Sequence, residues 1–113
     1  MMSESESECW QRYLDVVSDV TGIEGNWLLS RGRQRLLVDA RYLLAFLLYV
    51  YEGWTLVQIG RFMNRHHTTL TYGMAVVGGL LKQRDPKWIS WLDECKVHLS
   101  GVGKVGANCG GEQ

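Results

Sequence analysis

Between Cys9 and Val20 the apolar residues Trp10, Tyr13, Leu14, Val17 and Val20 fall on one helix face, which predicts an amphipathic helix over 9–20. Thr21, Gly22 and Gly25 interrupt it, and Asn26 is a candidate cap for a short turn carrying Trp27, Leu28 and Leu29. The basic loop SRGRQR follows. From Leu36 to about Tyr51 the chain is almost wholly apolar, ending VDARYLLAFLLYVY. A helix without a polar face is buried on most sides, so this stretch is expected to be the central core helix.

Glu52, Gly53 and Trp54 stop that helix, and Thr55 with Gln58 makes the T-x-x-Q pattern of a capping box. Leu56, Ile59, Phe62 and Met63 then give a short helix an inward face. Asn64 suits the left-handed conformation of a tight turn, and a further helix is expected from His66 or His67 through LTYGMAVVGGLLKQ. Asp85 as cap and Pro86 in the first helical position open a last helix to about Leu99, with Trp88, Trp91, Leu92 and Cys95 on one side. Two short helices joined by a tight turn, the second opening on polar and basic residues, read as a helix-turn-helix over about 55–81. The fold class is all-α, a compact bundle of five to six helices.

Length and composition fit one such domain. The chain has 113 residues, 46% of them hydrophobic, and a single proline. Residues 1–9, with their SESESE run, are expected to be an acidic unfolded tail, 10–100 the helical domain, and 101–113 a Gly-rich flexible tail. The acidic opening does not resemble a secretory signal. The longest apolar run, Leu43 to Tyr51, is about half of a membrane span. A soluble, cytoplasmic protein with no membrane partner is expected. Cys9, Cys95 and Cys109 are odd in number and far apart, unlike zinc-binding pairs, and read as reduced structural thiols.

Charge changes the picture more. The formal net charge is zero, yet between Ser30 and Arg84 eight basic residues face only Asp39 and Glu52, a local balance of +6. A polyanion responds to the local field, so overall neutrality does not exclude a nucleic-acid partner. The first turn of a helix offers unpaired N–H groups and a positive dipole end to phosphate, and short hydroxyls such as Thr68 and Thr69 suit phosphate oxygens or a thymine methyl. Metal ligation by His66 and His67 is disfavoured, because neighbouring helical positions diverge by about 100° and no carboxylate or Cys lies close in sequence. Catalysis by Thr68 or Cys95 lacks a visible third group. No enzyme activity and no cofactor are expected. The arginines of SRGRQR also read as a solvated loop, Arg41 as either an internal ion pair with Asp39 or Asp85 or a phosphate contact, and the five Trp as core or interface rather than base-stacking platforms.

The stretches LLSRGRQRLLVDARYLLAFLL and TLVQIGRFMNRHHTTLTYG resemble the C-terminal DNA-binding domain of the bacterial replication initiator DnaA. The resemblance rests on Leu28 to Ser30, Arg31, Arg33 and Arg35, Ala40 to Leu48 around Arg41, Ile59 and Gly60, then Arg65 and His67 to Leu70. It covers roughly Val20 to Leu81 and implies a Trp-repressor-like helix-turn-helix that binds double-stranded DNA. Arg33 would enter the minor groove, helped by Arg31 and Arg35. Arg65, His67, Thr68 and Thr69 match the signature residues that would meet the major groove; beyond the resemblance, His66 is expected to join them at the bases, and the helix start with Arg31, Arg35, Arg61 and Lys82 to hold phosphates. His66 replaces the acidic residue of the family's R-D-H-T-T-V signature, the turn GRFMNR is one residue shorter, and Val76, Gly78 and Gly79 stand in place of charged residues. No G-x-x-x-x-G-K-[ST] loop occurs, so no nucleotide is expected. A freestanding domain of this kind suits a phage or mobile-element regulator of replication or transcription. The rival reading is a protein-interaction module that has lost DNA binding and holds a partner, or dimerises, through Trp-rich helices.

Overall fold

The computed structural model describes residues 4–100, and the tail expected at 101–113 lies outside them. The described residues form six helices: α1 (Glu4–Thr21), α2 (Gly25–Leu28), α3 (Arg35–Tyr51), α4 (Leu56–Met63), α5 (His67–Lys82) and α6 (Pro86–Ser100). The all-α bundle expected from periodicity is the fold observed.

α3 is the hub, packed by α1, α2, α4 and α5, while α6 closes the bundle against α1 and α5. The reason is compositional. Ala40, Leu43, Leu44, Ala45, Leu47 and Leu48 leave no face for water, and all six are fully buried. Only the two ends of α3 emerge, Arg35 and Leu36 at the start and Tyr49 to Tyr51 in the last turn. Trp10, Tyr13, Leu14 and Val17 of α1, with Trp88, Trp91 and Cys95 of α6, complete one continuous core.

Two expectations are corrected. The unfolded tail expected over 1–9 is helical from Glu4. Carboxylates early in a helix meet the positive end of its dipole, and Gln58 Nε2 donates to Glu6 Oε2 at 3.0 Å, tying this end of α1 to α4. Asn26 does not cap α2; Glu24 holds that position without a side-chain bond. The other punctuation works as the residues dictate. Thr55 and Gln58 close both halves of the capping box, Asp85 accepts from the Trp88 N–H at 3.2 Å, and Gly53 turns the chain at φ +72°.

The crossing of α3 and α5 depends on one small residue. A Cβ at Gly73 would lie 2.4 Å from the Tyr42 ring, so the absence of a side chain there lets α5 lie close on α3. Burial first, then Tyr72 and Asp39, push the Tyr42 hydroxyl above its ordinary pKa.

Candidate nucleic-acid interface

α4, the turn Asn64 to His66, and α5 form the helix-turn-helix. The turn is built from the backbone. Asn64 adopts φ 57°, ψ 47°, and the Arg65 N–H donates to the Gly60 carbonyl at 2.9 Å. A Cβ at Gly60 would stand 2.5 Å from the Arg65 carbonyl oxygen, so the turn closes this tightly only over glycine. Leu70 is buried and anchors the first turns of α5 to the core.

With Leu70 inward, His67, Thr68, Thr69, Thr71 and Tyr72 face solvent. His66 is the N-cap: its Nδ1 accepts the Thr68 backbone N–H at 3.2 Å. The Thr71 hydroxyl is occupied, donating to the His67 carbonyl at 3.0 Å. The His66 and His67 rings stack with centroids 4.5 Å apart. Beside them a shallow groove of about 380 Å³ runs along Gly60, Arg61, Asn64 and Arg65.

The basic loop between α2 and α3 lies against this motif. Arg41, only 7% exposed, donates from Nε to the Leu28 carbonyl at 2.6 Å and from Nη2 to the Ser30 carbonyl. Arg65 Nη2 donates to the same Ser30 carbonyl at 2.8 Å, and its Nη1 to the carbonyls of Met63 and Asn64. Loop and turn are therefore joined through one oxygen. Burial first, then the neighbouring Arg65 cation, lower the Arg41 pKa below its ordinary value. The ion pair considered for Arg41 does not form. Asp39 is instead taken by Lys87 at 2.5 Å and Arg35 at 3.7 Å, and Asp85 is the α6 cap. Between the two arginines, Tyr42 and Thr69 lies a small cavity of about 130 Å³.

Arg31, Arg33 and Arg61 are exposed, and among the described residues no carboxylate pairs with them. Arg35 is exposed too, though it leans on Asp39. Arg65, His66, His67, Thr68 and Thr69 gather at the start of α5. Lys82 does not join them: as the last residue of α5 it stands about 22 Å along the axis from His67. Ser30 belongs to the stretch that carries the resemblance, but the sequence assigns it no role, because its contribution is a backbone carbonyl and no side-chain pattern announces it. Among the described residues, no three His, Cys, Asp or Glu side chains gather as a metal site, and no helix is long and apolar enough to cross a membrane.

An all-α bundle carrying this turn, with a capped second helix exposed at its start, is a helix-turn-helix domain of the kind associated with DNA binding. The family described as bacterial DnaA protein helix-turn-helix matches residues 11–77, more than half of the chain. The chain belongs to that family. No curated protein and no solved structure matches it.

Proposed function

We propose that this protein binds double-stranded DNA sequence-specifically, without chemistry of its own, as a regulator of replication or transcription of the phage or mobile-element type. The observation that carries the reading is the shared Ser30 carbonyl. It fixes the Arg31–Arg35 loop and the start of α5 in one frame, as two elements reading adjacent grooves require.

In this arrangement α5 enters the major groove with its first turns, where His67, Thr68 and Thr69 reach base edges and phosphates. Arg33, with Arg31 beside it, reaches the minor groove. The strand dividing the grooves crosses above the Arg41–Arg65 junction, and Arg61 and Arg35 hold phosphates on either side. Arg65 acts chiefly by positioning, because its guanidinium already donates to three carbonyls. Lys82 belongs to the far end of the footprint.

A protein-binding module using Trp-rich helices is less well supported. Trp10, Trp54, Trp88 and Trp91 are core residues, and Trp27 is the exposed one, at 57%. The test is duplex binding across a salt series. Neutralising about four phosphates gives a slope near −3.6 in log K against log salt, and Arg33→Ala should weaken binding and flatten that slope. Failure to bind any duplex at low salt refutes the reading.

A further inference from the structure

The Thr68 backbone N–H can only donate, so the His66 Nδ1 that receives it at 3.2 Å carries no proton. The Thr68 hydroxyl lies 2.7 Å from the same nitrogen. The ring proton is therefore on Nε2, on the edge of the imidazole turned away from the cap. The His67 ring stacked against this imidazole, at an interplanar angle of 29°, limits its rotation. An exposed ring in a locked tautomer at the head of the second helix presents a single neutral N–H donor to whatever that helix meets.

We infer that His66 is a specificity-determining residue, and that it selects guanine on the contacted strand at one position of the DNA site. This rests on the DNA-binding reading. A lone donor is matched by an acceptor, and the major-groove edges differ in what they offer. Guanine presents acceptors at both N7 and O6. Adenine sets an amino donor beside its N7, thymine sets a methyl beside its O4, and cytosine offers an amino donor that the Nε2–H cannot satisfy. An acid in this place would accept from the cytosine amino group and would therefore select the opposite base pair. The residue that departs from the DnaA signature accordingly changes the site this chain prefers.

Two substitutions keep the helix start intact while changing what it offers, because Asp and Ser are both strong N-caps. The experiment is selection from a random duplex library with the full chain, His66→Asp and His66→Ser, followed by affinity measurement on the selected duplexes. The native chain should enrich guanine at one position and lose about fivefold to tenfold in affinity when that pair is inverted. His66→Asp should move the preference there to cytosine. His66→Ser should bind with no preference at that position and unchanged preferences elsewhere. If native chain and both variants select the same base, the inference is overturned while DNA binding stands. If nothing is enriched from the library, the DNA reading fails and takes this inference with it.

Discussion

Arg41 and Arg65 donate to the same acceptor, the Ser30 carbonyl, one from inside α3 and the other from the turn of the helix-turn-helix. Two like charges converge there without a carboxylate, held by backbone oxygens in a largely buried place. A hydrogen bond from a charged donor is worth about 1.5–3 kcal/mol. Arg41→Met removes two of them but also relieves the burial of that charge and its repulsion by Arg65, so it should lower stability by about 2–4 kcal/mol in urea unfolding. Arg65→Ala should cost less, because Arg65 is only partly buried, yet it should weaken duplex binding by tenfold or about that. If Arg65→Ala leaves affinity unchanged, loop and helix do not need to be held together.

Gly60 sets the turn. Ala at this position places its Cβ 2.5 Å from a backbone oxygen, which no side-chain rotation relieves. Gly60→Ala should destabilise the domain by about 1–3 kcal/mol and abolish duplex binding at protein concentrations where the helical circular-dichroism signal persists. Full affinity in this variant would show that the turn has more freedom than its geometry indicates.

The helix-turn-helix was legible because its signals are local. The Thr55 and Gln58 box and Asn64 in the left-handed region are each written within a few residues, as is the Asp85 cap that opens α6 beyond the motif. The Arg41 partners were not legible, since apolar patterning identifies α3 as buried without saying which loop covers it, and the acceptors are carbonyls of Leu28 and Ser30. The early start of α1 escaped for a related reason: Glu6 finds Gln58 across the fold, far outside any sequence window. At the interface, residue types at the head of α5 indicated what faces outward, whereas the 22 Å, or about that, between His67 and Lys82 follows only once α5 is one unbroken helix.

The glycines of α5 should divide by environment. An exposed helical Gly→Ala change gains up to about 1 kcal/mol, and a Cβ at Gly78 or Gly79 meets nothing within 4 Å. Gly78→Ala and Gly79→Ala should each raise the melting temperature by several degrees, about 0.5–1 kcal/mol. Gly73→Ala should lower stability by about 1–3 kcal/mol, because its Cβ meets the Tyr42 ring. Tyr42→Leu should recover part of that loss in the double variant. Strict additivity between Gly73→Ala and Tyr42→Leu would remove Tyr42 as the cause.

Alkaline pH should unfold the domain through its buried acids. Burial, then Glu52, raise the Cys9 thiol from 9.0 to about 11, and burial, then Glu94, raise Cys95 from 9.0 to about 12. Burial, then the hydrogen bond to Glu52, also raise Tyr13, whose hydroxyl donates to Glu52 at 2.7 Å. Below pH 9 both folded and unfolded chains keep these thiol protons, and the stability they contribute is complete. Between pH 9 and about 11–12 the unfolded chain releases protons that the folded chain retains, so stability falls as pH rises. Urea midpoints at pH 8, 9 and 10 should decline in that order, and Cys95→Ala, which removes the higher of the two thiols, should flatten the decline while lowering the midpoint at pH 8. In a Cys109→Ser background at pH 8, a disulfide reagent should modify Cys9 slowly and Cys95 only at the rate of unfolding, since Cys95 is fully buried. Rapid modification of Cys95 in the native protein would show that α6 opens without global unfolding.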